Sequence, residues 1–192
     1  MTTDNTTKGA MALDLPVAPL SPAMQVHFQK CRDRLGFVPN VLNAYMHDMA
    51  KLEAFVALSS DLMQAPSGLS KLEREMIAVA VSSQNHCYYC LAAHGAAVRA
   101  LSGDAKLGDM LVMNYRAAPL PDRQRAMLDF AVKLTVASAT IGETDRAALR
   151  AHGFAERDIW DIAAVAAFYN MSNRMASALD MRPNDEYHAM AR

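Results

Sequence analysis

Ser70-Lys71-Leu72-Glu73-Arg74-Glu75-Met76-Ile77-Ala78-Val79-Ala80-Val81-Ser82-Ser83-Gln84-Asn85-His86-Cys87-Tyr88-Tyr89-Cys90-Leu91-Ala92-Ala93-His94 decides the fold. Ser70 and Glu73 form a capping box, so a helix starts at Lys71 and runs to about Ser83. A short break at Gln84-Asn85-His86 turns the chain into a second helix, from Cys87 to about Ala100, ended near Gly103.

The rest of the chain reads the same way. Ser21-Pro22 is a helix start, and Gly36 suits the position just past that helix's end. Pro39 opens a short helix to about Met46, and Asp48 caps the next, whose apolar residues keep helical spacing to Leu62. Further helices are predicted over 105–113, from Asp122 to Ala137, from a Thr144 cap to Gly153, and over 156–179. Only 8 glycines interrupt the 192 residues, and no Val/Ile/Thr alternation marks a sheet. The expectation is an all-α domain of about eight helices over 19–185. A flexible arm (1–18) precedes it and a polar tail (186–192) follows it.

Composition narrows the function. Lys+Arg is 19 and Asp+Glu is 20, so no charge excess points to nucleic acid or acidic lipid. A net charge of −1 suits a small, uncharged substrate. The longest apolar run, Ile162 to Tyr169, is far short of the ~20 residues a membrane span needs. MTTDNTTKGA lacks a signal pattern, so the expected location is the cytoplasm. Three cysteines, an odd number in a chain with an ample core, argue against a disulfide scaffold.

Cys87 and Cys90 are three apart at a helix start, so they share a face. The free N–H groups there and the positive end of the helix dipole stabilise a thiolate, the reactive species. His94, four residues past Cys90, should lie over it and can take or hold a proton. Glu75 has Leu72, Ala78 and Val79 as helical neighbours, whereas Glu73 and Arg74 supply the polar strip. A carboxylate on that apolar face should be partly buried and paired, with His94 the obvious partner. Helix-end effects favour Cys87 as the reactive sulfur, and the His94 contact favours Cys90.

Other readings of the same residues compete. Cys87, Cys90 and His94 are three zinc donors, and only a tertiary coincidence would add Cys31 as the fourth ligand that a structural site requires. Leu91 stands where haem attachment requires histidine. Two idle thiols would leave Glu75 unexplained. Neither GxGxxG nor GxxxxGK[ST] occurs, so no tightly bound nicotinamide, flavin or other cofactor is expected, and no metal.

Several further residues have bland readings. Tyr88 and Tyr89 either wall a pocket or simply pack. His86 reads as a solvated loop residue, Asn170 and Asn173 as helix-packing groups, and the 14 methionines as core and interface filler. Cys31 reads as a buried thiol and Trp160 as a core or subunit-interface anchor.

The spaced pattern Glu75, Cys87-x-x-Cys90, His94 resembles the active-site pattern of the alkylhydroperoxidase AhpD core, in the carboxymuconolactone decarboxylase-like superfamily. Leu35-Gly36-Phe37-Val38-Pro39-Asn40 and Phe168-Tyr169-Asn170-Met171-Ser172-Asn173-Arg174 resemble its peroxidase-related branch, so the likeness spans about 20–185. It implies an all-helical homo-oligomer that reduces organic hydroperoxides or hydrogen peroxide. It also implies that Cys90 attacks, that Cys87 resolves the sulfenic acid to a disulfide, and that Glu75 and His94 relay protons. An external dithiol, lipoyl or thioredoxin-like, would restore the pair. Some members carry a histidine just before the second cysteine, where this chain has Tyr89. That departure motivates the alternative of a disulfide oxidoreductase or redox sensor with little peroxidase turnover. A zinc-stabilised helical module is the third reading.

Overall fold

A computed structural model describes residues 7–192, and the start of the predicted arm, residues 1–6, lies outside the described residues. The helices are α1 (Pro22–Leu35), α2 (Asn40–Tyr45), α3 (Met49–Gln64), α4 (Lys71–Gln84), α5 (Tyr88–Ser102), α6 (Ala105–Asn114), α7 (Asp122–Ala137), α8 (Glu143–Ala151), α9 (Glu156–Ala178) and α10 (Glu186–Ala189). Eight of these ten span seven residues or more, and no strand occurs among the described residues. The all-α reading therefore holds.

Local chemistry sets the ends. Ser21 Oγ accepts from the Met24 N–H, and Ser70 and Glu73 make both bonds of their capping box. Gly36 ends α1 in the left-handed region at φ 85°, which a side chain would strain. The predicted Thr144 cap is corrected: α8 starts at Glu143, because the Asp145 carboxylate accepts from the Gly142 N–H and closes the turn earlier.

α4 is the axis of the molecule. Met76 through Val81 are fully buried, so this segment is apolar on every side and packs against α5, α6, α7 and α9. Glu73 and Arg74, expected to form an outward polar strip, are buried as well. Glu73 pairs with Arg123 of α7, whose guanidinium lies 3.9 Å over the Phe154 ring. Arg74 donates to the Ala65 carbonyl at 2.6 Å. α7 and the α3–α4 turn cover this face, a contact that helical spacing does not encode.

Residues 7–18 and the tail are knitted into the fold. Thr7 Oγ1 donates to the Leu13 carbonyl and accepts from the Leu15 N–H, and Met11 is buried. The Ala12 N–H donates to the Leu179 carbonyl at 2.8 Å, and the Arg182 N–H donates to the Ala10 carbonyl at 3.0 Å. Within the predicted tail, α10 buries Tyr187 edge-on against Phe37 at 5.0 Å. The buried Arg99 of α5 fixes that segment, donating to the Met190 carbonyl at 3.0 Å and the Tyr187 carbonyl at 2.8 Å. Trp160 is 65% exposed and therefore does not anchor the core of this chain.

Arg99→Met removes both clamps while keeping the buried stem. Two charge-assisted bonds to carbonyls are worth about 3 kcal/mol together, or roughly 6–12 °C in Tm for a chain this long. Thermal unfolding should show that drop, with faster proteolysis after Met181. An unchanged Tm would mean that α10 docks without Arg99.

Candidate active site

The α4–α5 hairpin brings the four candidate residues together. α4 ends at Asn85, His86 adopts φ 51° to reverse the chain, and Cys87 is the N-cap residue of α5. His86 is exposed, as expected. Its left-handed backbone is uncommon for a side-chain-bearing residue, and Asn85 holds it in place. The Asn85 amide donates to Asn173 Oδ1 at 2.9 Å and to Asn170 Oδ1 at 3.1 Å. Asn173 in turn donates to Ser82 Oγ at 2.9 Å, and Asn170 to Thr135 Oγ1 at 2.9 Å. The two asparagines of α9 thus pin the break between the helices.

Glu75 and His94 face each other across the hairpin. His94 Nδ1 lies 2.6 Å from Glu75 Oε2, and both side chains are largely buried. With Nδ1–H donating to the carboxylate, Nε2 becomes the nitrogen that accepts a proton. The Tyr169 ring stands edge-on to His94 at 4.6 Å and restricts its rotation. This buried pair supplies the partner that the sequence demanded for Glu75.

All three cysteines are free thiols, and Cys87 and Cys90 are in contact and buried. The thiol and the backbone N–H of Cys90 both favour a thiolate on Cys87, with help from His94 and Ser177, and its pKa falls to about 6. Cys90 moves the other way: its hydrogen bond to Cys87, its depth and the neighbouring negative charge push its thiol well above the usual range. Asn173 and Ser172 oppose that rise. The pair therefore shares one proton, held mainly on Cys90. Ser172 and Ser177 have no role in the sequence reading; both reach the sulfurs from α9, which lies far along the chain from the cysteine motif.

A cavity of about 530 Å³ opens above the hairpin. Glu75, Tyr89, Cys90, His94 and Tyr169 line its floor, whereas Cys87 sits behind Cys90. Leu42, Phe55, Met63 and Phe168 form apolar walls. Tyr89 walls the cavity, and its hydroxyl accepts from the Val41 N–H at 2.9 Å. Tyr88 does not: it is exposed and meets His188 Nε2 at 3.0 Å. Cys31, expected to be buried, is half-buried on the cavity rim, because α1 lies across the cavity mouth instead of packing on both sides. No group of three or more His, Cys, Asp or Glu side chains is arranged to hold a metal ion among the described residues. No helix among them is long and apolar enough to cross a membrane.

Residues 51–106 match the carboxymuconolactone decarboxylase family. A solved structure described as an uncharacterized peroxidase-related protein from Silicibacter sp. TM1040 is 63% identical, with a TM-score of 0.93, over 96% of this chain and 97% of that one. Another, described as an alkylhydroperoxidase AhpD core and uncharacterized peroxidase-related protein from Ralstonia eutropha JMP134, is 44% identical with a TM-score of 0.90, over 95% and 97%. The debrominase Bmp8, solved in complex with 2,3,4-tribromopyrrole, shares the fold at 20% identity and a TM-score of 0.77, over 93% and 97%. No curated protein matches the chain.

The shared proton has a measurable consequence. In the unfolded chain Cys87 keeps its proton up to about pH 8.5, whereas in the fold it loses it near 6. The resulting stability is fully present above about pH 8.5 and lost as pH falls through 6. Denaturant unfolding of the reduced protein should show the gap between wild type and Cys87→Ala widening from pH 6 to pH 9. Thiolate absorbance at 240 nm should rise with a midpoint near pH 6, moving upward in Cys90→Ala. A midpoint that stays put would show that Cys90 does not hold the Cys87 charge.

Proposed function

Because the chain belongs to the AhpD-like, peroxidase-related branch of the carboxymuconolactone decarboxylase family, we propose that it is a thiol-dependent hydroperoxide reductase. The observation that carries this reading is the position of Cys90. It forms the cavity floor beside the Glu75–His94 pair, with the Cys87 thiolate directly behind it.

The chemistry follows from that order. As a hydroperoxide approaches, the Cys90 proton passes to His94 Nε2, and Asn173 and Ser172 stabilise the new thiolate. Cys90 Sγ attacks the outer oxygen, the O–O bond breaks, and the leaving alkoxide takes that proton back from His94. The substrate gains two electrons and becomes an alcohol, and Cys90 becomes a sulfenic acid. The Cys87 thiolate then attacks the Cys90 sulfur. The S–O bond breaks, hydroxide leaves and takes a proton from solvent to become water, and a disulfide remains. An external dithiol, lipoyl or thioredoxin-like, gives two electrons and becomes a disulfide itself. Glu75 keeps the His94 ring oriented throughout. A reducing compartment such as the cytoplasm suits this cycle.

A homo-oligomer belongs to the same reading. Trp160, Ala167, Met171 and Met175 recur at helical spacing along the exposed side of α9, a stripe suited to a second copy. Sedimentation velocity reads this directly: Trp160→Glu should lower the oligomer mass, and a monomeric wild type would refute it.

One observation favours a second reading. The Tyr89 hydroxyl accepts from the Val41 N–H and is also hydrogen-bonded to Tyr187, and burial holds its own proton well above the usual range, so that position supplies no proton to the sulfurs. A pair that keeps its thiolate near pH 6 also stabilises its reduced form, which makes its disulfide an oxidant. Such a protein would exchange dithiols quickly and turn over no hydroperoxide.

Peroxide consumption with a dithiol donor separates the two. Cys90→Ser should lose at least about 100-fold in kcat/KM, and Glu75→Gln roughly 10²-fold. Cys87→Ser should give a single turnover and trap a sulfenic acid on Cys90. Full activity in Cys90→Ser would overturn the assignment of the attacking sulfur. Fast dithiol exchange without any peroxide turnover would establish the second reading instead.

A further inference from the structure

The cavity is chemically two-ended. Its floor holds one carboxylate, Glu75, already bonded to His94, and no other acid lines the space. Its walls are mainly apolar, with Ser59, Ser60 and Gln64 of α3 the polar exceptions. Its mouth is crossed by α1, which presents His27, Lys30, Cys31 and Arg34 on one face at helical spacing. This row runs about 10 Å along the helix. Burial and the neighbouring Lys30 hold His27 below the usual histidine range, so the positive charge comes from Lys30 and Arg34. Both are exposed, and neither forms an ion pair or hydrogen bond among the described residues. Exposed arginines of the C-terminal half such as Arg116, Arg150, Arg182 and Arg192 are ion-paired.

Size points the same way. About 530 Å³ lies in the range of pockets that enclose a drug-sized molecule, whereas a molecule of liquid water occupies only ≈ 30 Å³. Hydrogen peroxide needs neither apolar walls nor a cationic rim. We propose that this site selects an amphipathic hydroperoxide that carries a carboxylate. Its hydrocarbon part lies between Phe55, Leu42 and Phe168, its carboxylate meets Lys30 and Arg34 at the mouth, and its hydroperoxyl group reaches Cys90. The proposal rests on the hydroperoxide reading for the reaction, but not for the recognition. Cations at the entrance of a low-dielectric cleft also concentrate an anion there.

An acidic patch on a dithiol donor protein is another ligand for the same two cations. The largely apolar space behind the rim favours the small amphipath, because a docking protein has no use for it.

The test compares a hydroperoxy fatty acid with its methyl ester, identical but for the charge. Wild type should prefer the acid by about tenfold in kcat/KM, and the preference should shrink from 50 to 500 mM salt. The double variant K30A/R34A should bring the ratio near one, while K30R should keep it. Equal use of acid and ester by wild type, or an unchanged ratio in the double variant, would overturn the proposal. So would a rise in KM confined to a dithiol donor protein, which would mark the rim as that protein's dock. A binding measurement stands apart from turnover. Isothermal titration with dodecanoate should give binding to wild type that weakens about tenfold in K30A/R34A. Dodecanol should be indifferent to the substitutions. Absence of dodecanoate binding, or equal binding by both proteins, would refute carboxylate recognition. If dodecanoate binds as expected but no hydroperoxide is consumed, the reaction assignment fails and the anionic selectivity stands.

Discussion

Everything at the centre of this protein depends on satisfying one carboxylate. Glu75 emerges from a helix whose next six residues are fully buried, and an unpaired charge there would cost several kcal/mol. His94 meets it at 2.6 Å from the next helix. That bond fixes how α4 and α5 face each other, and with them the place of the two sulfurs at the start of α5. The same bond leaves one imidazole nitrogen unoccupied by Glu75, so a structural requirement and a chemical capability are met by one contact.

The polar ladder behind the sulfurs extends the same logic. Asn85, Asn170, Asn173, Ser82 and Thr135 satisfy one another across three helices. A buried network with its bonds made is rigid, whereas one missing partner leaves several groups desolvated at once. This rigidity holds the left-handed turn at His86 in place, and the turn in turn sets where α5 begins. The cysteines therefore occupy a helix start chosen by α9, not by their own segment.

Helices and the reactive quartet were legible because they are local. The capping box at Ser70, the Gly36 stop and the three- and four-residue offsets among Cys87, Cys90 and His94 all lie within a few turns. Glu75 was legible through the mismatch between a charge and its apolar neighbours. What escaped detection involves contacts between distant segments. Glu73 and Arg74 look like a solvent strip until α7 and the α3–α4 turn cover them. Cys31 looks like a core thiol until α1 is seen lying across a cavity. The Thr144 cap failed for a smaller reason, since Asp145 reaches the N–H of Gly142 first. A global charge near zero also concealed a local asymmetry: Lys30 and Arg34 stand together at one opening, and their compensating acids lie elsewhere.

The pairing of residues 10–12 with 179–182 has a topological meaning. Two segments about 170 positions apart close the described chain into something near a ring, with every helix from α1 to α9 inside the loop. The order of packing is then largely independent of where the ring is cut. A circular permutant opened at an exposed turn such as Gly153, with its old ends joined, would keep the α4–α5 hairpin uninterrupted, because the reactive quartet spans only residues 75–94 of the circle.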